Sequence, residues 1–361
     1  ADQKNRVVSM VSLVVNLAGV AMQCVALVTT KSYAPFALVL VATSVVQNLI
    51  LYVIGGRLYP YLKEDRHSWI DRKSRKELVT YVKSLFAVKV GGIVINNTDN
   101  ILVSAIDTLT VGYMANYSTV TVRLQELLTI FHNAILYSLG IASVEKGSEE
   151  KYQLFRKVVL IDQYVVGVIC VCTGVLWHDF IAVWLGKEYL IGDLLMYSVL
   201  LNFMWRVLVS PLAMFRDTNG LFVYVRRMVL VNAGLNIILS LAMGQVIGVP
   251  GVYIATVIAD ILTDFWFDAR LLYEKLFRRK GFWKYDLVAF GTCCANLVFV
   301  YLLRQVLDRL GVSILMWVVK GTVAALSYTL VYVLVCGRTQ VFRDVVNQIL
   351  LPRLRGKKAS E

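Results

Sequence analysis

Ten apolar runs follow one another along this 361-residue chain, near 7–29, 34–55, 80–106, 109–142, 155–177, 190–214, 221–247, 250–272, 284–305 and 311–336. A helix needs roughly 20 apolar residues to cross a hydrocarbon core about 30 Å thick. Each run meets that length, so the pattern predicts an all-α polytopic membrane protein of about ten transmembrane helices. The fourth run is long enough to tilt or to project into water.

The segments between the runs alternate in charge. Of 37 Lys and Arg, 28 fall before the first run, in 56–79, 143–158, 213–227 and 270–285, and after 337. Four fall in the other set of connections: Lys31, Lys187, Arg304 and Arg309. Lys83, Lys89, Arg123, Arg206 and Lys320 lie inside the runs. The positive-inside rule then puts both observed termini in the cytoplasm of a plasma membrane. Composition agrees, with 58% hydrophobic and 17% charged residues and a mean hydropathy of +0.65. The net charge of +13 is topology information and attraction for anionic lipid; its distribution argues against nucleic-acid binding.

Ionisable side chains cost about 2.5–3.5 kcal/mol each at mid-membrane depth, so they mark candidate sites. In the third run Lys89, Asn96 and Asn100 share one helical face, with Asp99 three residues from Asn96. They read either as the polar wall of a translocation cavity or as hydrogen bonds between helices. The fourth run carries Asn116, Arg123 and Glu126; Arg123 either pairs locally with Glu126 or meets a phosphate in a cavity. In the eighth run Asp260, Asp264 and Asp268 stand four residues apart. Asp268 has Arg226, Arg227 or Arg270 within reach at the basic rim. Asp260 and Asp264 either bind H⁺ or Na⁺ as ion-coupling residues or pair with Arg206 or Lys320 of neighbouring spans. Arg206 either reaches the headgroups or lines a cavity, and Lys320 stands alone.

Other chemistry is sparse. The six cysteines lie in apolar runs without a His or acidic cluster, which predicts small buried hydrophobes and no metal. The sequence carries no GxSxG, HExxH or Walker A motif, so neither a catalytic site nor a cofactor is predicted and transport would draw on a gradient. A membrane glycosyltransferase or polymerase remains the alternative from another class, although the outer connections are short for a catalytic pocket.

The stretch KVGGIVINNTDNILVSAIDTLTVGYMANYSTV (89–120), with Asn96, Asn97, Asp99, Gly112, Tyr113, Asn116 and Tyr117, resembles the opening of the second lobe in bacterial polysaccharide repeat-unit flippases. These belong to the multidrug/oligosaccharidyl-lipid/polysaccharide exporter superfamily. FIAVWLGKEY (180–189), RDTNGLF (216–222), NIILSLAM (236–243) and GVPGVYIATVI (248–258) follow in the family's order. The resemblance implies a two-lobed exporter fold with the first lobe incomplete, about four leading spans being missing from a chain that opens on Ala1. Residues 1–55 would be the last two helices of the first lobe and 56–79 a cytoplasmic amphipathic linker. The second six-helix lobe would be 80–275, two extra C-terminal spans 276–336, and a basic cytoplasmic tail 337–361.

The implied function is flipping of undecaprenyl-diphosphate-linked oligosaccharide across the bacterial plasma membrane for capsule, O-antigen or exopolysaccharide synthesis. Lys89, Arg123 and Arg206 would replace the water shell of the diphosphate, with Asn96, Asp99, Asn100, Asn116 and Glu126 completing a substrate-binding wall. Membrane lipids, H⁺ or Na⁺, and a polysaccharide polymerase with its chain-length regulator are the implied partners. Within the superfamily the alternative is an ion-coupled multidrug or small-molecule exporter.

Overall fold

In a computed structural model the described residues are 5–58, 71–145 and 147–347, without the side chains of 5–7, 9, 96 and 133–145. Every regular element among them is helical. Among the described residues, nine helical segments are long and apolar enough to span a membrane. The tenth predicted span falls on a 38-residue helix whose last thirteen side chains lie outside the described set. The protein is therefore an all-α polytopic membrane protein.

Two compact units divide the chain, Ala1–Lys76 and Glu77–Glu361. The first is a helical hairpin of α1 (Asn5–Thr30) and α2 (Tyr33–Leu58). Most of its apolar side chains point outward, among them Val14, Leu17, Leu38 and Leu49, as a lipid-facing surface requires. The helices touch where Gly19 meets Thr43, leaving no room for a Cβ, and where Gln47 Nε2 donates to Ser12 Oγ at 2.9 Å. Half of the predicted linker, 59–70, lies outside the described residues. Its last part is already helix: α3 (Arg72–Ile106) starts eight residues before the predicted span. Asp71 caps it by accepting from the backbone N–H groups of Lys73 and Ser74, each at 3.1 Å. The Ser74 bonds hold the Asp71 carboxyl below the usual carboxylate range.

In the second unit α3 gives way to α4 (Thr108–Glu145) across one residue, Asp107. Its carboxylate caps α4, accepting from the backbone of Leu109 at 3.0 Å and Thr110 at 3.3 Å and from the Thr110 hydroxyl. The Thr110 bonds come first among the causes that hold the Asp107 carboxyl low. Then come α5 (Ser148–Trp184), α6 (Asp193–Leu208), α7 (Ser210–Thr218) and α8 (Phe222–Ile247). The sixth predicted run is thus not one helix. It breaks at Val209, where Pro211 sits in the first turn of α7 and has no N–H to continue the ladder.

A single residue, Gly248, turns α8 into α9 (Val249–Asp260) with φ +74°, a conformation that suits glycine. Gly251 then lies against the Met243 carbonyl, where a Cβ would come within 2.3 Å. The eighth span continues through a π-helical turn (Ile261–Phe265), α10 (Trp266–Leu271) and a second π turn (Leu272–Leu276). The chain closes with α11 (Trp283–Leu307), α12 (Ile314–Cys336) and α13 (Gln340–Val345).

Helix α5 is the axis of this unit, with α4, α6, α11 and α12 packed on it. Gly167 makes the α5–α12 approach possible, because Tyr328 occupies the space a Cβ would need. Arg304 of α11 bonds to Asp193 at 3.1 Å, to Asp308 at 3.3 Å and to His178 Nδ1 at 3.2 Å. Lys320 of α12, fully buried, meets Asp179 of α5 at 2.5 Å. This gives Lys320 the partner it lacked in the sequence. It is also a pairing distinct from the Lys320–Asp260 or Lys320–Asp264 alternative.

Candidate functional site

Polar side chains of α3, α6, α8 and α9 converge inside the second unit. Asn236 Nδ2 donates to Thr256 Oγ1 at 2.8 Å, and the Thr256 hydroxyl lies 3.1 Å from both carboxylate oxygens of Asp99. Arg206 Nη2 stands 3.8 Å from Asp99 Oδ2. One helical turn further along, Trp205 Nε1 donates to Asp260 Oδ2 at 2.5 Å. The amide of Asn232 donates to Asp264 at 2.8 Å and reaches Asp260 at 3.4 Å. Asp268 pairs with Arg216 at 2.6 Å.

These contacts bear on several open readings. Asp260 and Asp264 take hydrogen bonds from an indole and an amide, while the guanidinium of Arg206 makes its ion-pair contact with Asp99. Asp268 is neutralised by Arg216 of α7, not by Arg226, Arg227 or Arg270. Arg123 and Glu126 form the local pair, at 2.9 Å, with the two side chains 72% and 56% exposed.

Two cavities flank this cluster. One of about 220 Å³ is lined by Gly92, Asn202, Arg206, Asn232, Asp260 and Asp264, among others. A water's share of liquid volume is about 30 Å³, so this space admits a few waters or an ion, not a sugar chain. The other, of about 480 Å³, is lined by Asn100, Met114, Ser118, Thr119, Arg123 and Tyr253, among others, and falls in the range of small-molecule pockets, about 300–1,000 Å³. Asp99 and Asn100 are successive residues of α3 that serve the two sides: Asp99 is buried in the polar cluster, Asn100 faces the larger recess. On α9, Tyr253 lines the recess while its carbonyl accepts from Asn202 of the smaller cavity at 3.3 Å.

The predicted substrate residues are therefore divided. Asn100 and Arg123 share the larger recess, and Arg206 borders the smaller cavity with Asp260 and Asp264. Lys89 is exposed on α3 and lines neither. Glu126 is held at the recess through Arg123, Asn116 is half-buried on α4, and the Asn96 side chain lies outside the described residues. Sequence reasoning passed over Asn202, Trp205, Asn232, Thr256 and Arg216. A signal was present: Asn232 and Asn236 stand four apart in an otherwise apolar span, as do Thr256 and Asp260, each pair on one helical face. Among the described residues, no group of three His, Cys, Asp or Glu has the arrangement of a metal site.

Fold and cluster together define a multi-pass helical membrane protein with a buried, carboxylate-rich polar cavity. Comparison with protein-family models, with curated proteins and with solved structures finds no match for this chain.

Proposed function

We propose that this chain is part of a carrier that flips undecaprenyl-diphosphate-linked oligosaccharide across the bacterial plasma membrane, with its observed termini in the cytoplasm. The observation that carries the reading is the pairing of two adjoining cavities of different size and chemistry. The larger recess presents a guanidinium (Arg123), an amide (Asn100) and two hydroxyls (Ser118, Thr119), donors suited to a diphosphate and sugar hydroxyls. The smaller cavity presents Asp260 and Asp264 bridged by Asn232, groups suited to a proton or Na⁺ that drives the cycle. Substrate at the recess and ion at the cavity would communicate through α3 and α9, which border both. Motion rather than chemistry would do the work, by rocking of one bundle against another. The resemblance of 89–120 and the later motifs to repeat-unit flippases supports the substrate class.

The test is reconstitution of the full-length carrier containing this chain in liposomes with a labelled undecaprenyl-diphosphate oligosaccharide, scoring its exposure to an impermeant glycosidase. Flipping is expected, with Arg123→Ala slowing it at least tenfold and Asp260→Asn removing its dependence on an ion gradient. Normal flipping by Arg123→Ala would remove Arg123 from its role.

An ion-coupled exporter of small molecules is the second reading, favoured by one observation. Two carboxylates (Asp260 and Asp264) and one guanidinium (Arg206) line the smaller cavity, and Asp99 pairs with that guanidinium, a balance that suits cations better than a diphosphate. Gradient-driven efflux of cationic dyes without oligosaccharide flipping would establish it.

A further inference from the structure

A second buried ionisable group lies away from both cavities, where α4 meets the rest of its unit. Asp162 of α5 is completely buried, and its Oδ1 lies 2.5 Å from His132 Nε2 of α4. Ser210 Oγ, at the break between α6 and α7, lies 3.4 Å from the same His132 nitrogen. The other carboxylate oxygen, Asp162 Oδ2, is buried with no hydrogen-bond partner, and so is the Tyr285 hydroxyl of α11. The titratable groups within electrostatic reach of Asp162 are Cys170 on its own helix, Tyr285 of α11, and Tyr332 of α12. None of these is a cation, so among the described residues of the cluster His132 is the group that can balance the Asp162 charge.

Helix α4 packs chiefly on α5 and α7, and His132 is a polar link to both. Further along α4, Tyr117 forms another, its hydroxyl accepting from Ile191 N at 3.5 Å. Between these two points an open apolar recess of about 380 Å³ is lined by Val120 and Leu124 of α4, by Val168 and Thr173 of α5 and by Trp317 of α12, among others. The helix that carries Arg123 is thus pinned at two polar points on either side of that recess, and one of the pins is ionisable.

We propose that His132 and Asp162 form a proton-binding site that locks α4 onto α5 and the α6–α7 break, independent of the substrate reading above. With one proton shared between His132 Nε2 and Asp162 Oδ1 the pair carries no net charge and stays dry. Loss of that proton leaves a lone carboxylate in an apolar bundle, which is costly. Water then enters and α4 lifts from α5. No covalent bond changes; the proton leaves to solvent through the opened gap.

The test places spin labels at Ile130 of α4 and Leu287 of α11, both exposed, on the full chain in lipid nanodiscs. Inter-label distances are followed from about pH 5 to about pH 9. The distance distribution is expected to broaden and lengthen at alkaline pH and to return on acidification. Asp162→Asn, which keeps the shape and removes the charge, is expected to stay short at every pH. The double variant His132→Gln/Asp162→Asn is expected to behave the same way, and His132→Gln alone to open at lower pH than the parent. A parent distribution that does not respond to pH, or a response retained in Asp162→Asn or the double variant, would overturn the proposal.

Discussion

Lys320 offers the sharpest energetic test of the packing. It lies in the first third of α12 and is the one charged residue of that helix, its side chain 1% exposed, and its ammonium meets Asp179 at 2.5 Å; the Asp179 side chain is 13% exposed. Removing one partner of a buried ion pair leaves an uncompensated charge and costs about 3–5 kcal/mol. The exposures rank the two cuts. Asp179→Leu strands a completely enclosed ammonium and is expected near the upper end of that range. Lys320→Met strands a carboxylate close to the end of α5 that water can still reach, so its cost is expected near the lower end. Replacing both, Lys320→Met/Asp179→Leu, removes the desolvation penalty together with the attraction, and is expected within about 1 kcal/mol of the parent or more stable. Reversible unfolding of the four proteins in mixed micelles, combined as a double-mutant cycle, gives the coupling directly. Single cuts that each cost under about 1 kcal/mol, or a double variant as unstable as the worse single one, would refute this account.

Three further outcomes follow from other contacts. Gly167→Ala is expected to destabilise the α5–α12 contact by about 1–3 kcal/mol through overpacking, with Tyr328→Phe restoring part of the loss in the same unfolding assay, since the Tyr328 hydroxyl is the atom nearest the added methyl. Asn232→Ala is expected to cost about 1–3 kcal/mol by leaving the part-buried Asp264 without its donor, and to weaken any ion dependence of transport; unchanged stability would mean that water replaces the amide at no cost. The Asp107 carboxyl is held low by its Thr110 bonds, so its contribution is present above the unfolded carboxylate value, near about 4, and is lost as pH falls through the folded value. Hydrogen exchange at Leu109 and Thr110 is therefore expected to quicken on acidification, and Asp107→Asn to remove most of that pH dependence.

The bundle was legible because lipid imposes one rule on every span: length and hydrophobicity suffice to find it. Helix ends were less legible. Asp179 sits two residues beyond the predicted end of the fifth run, so it was assigned to a connection and Lys320 was left without a partner; α5 in fact continues to Trp184. The break at Val209 had its signal in Pro211, which hydropathy averages away. The polar cluster was half legible. Charges stand out in an apolar span, so Asp99, Arg206, Asp260 and Asp264 were found. The amides and hydroxyl that organise them, Asn202, Asn232 and Thr256, cost little in a hydropathy average and were passed over. Which cation meets which carboxylate depends on how neighbouring helices are rotated, and spacing within one helix does not carry that information.

The misassigned partner of Asp268 has a specific origin. A π turn is equivalent to one surplus residue wedged into a helix, and each residue advances an α-helix by about 100°. The turn at Ile261–Phe265 therefore swings everything after it round the axis, and Asp268 looks toward Arg216 instead of Arg226, Arg227 or Arg270. A single-residue deletion at the exposed Leu262 would remove that surplus and relax the turn to α-helix, leaving Asp260 and Asp268 on the sides they now face. The alignment of the three carboxylates is thus a property of the wedge as much as of their spacing.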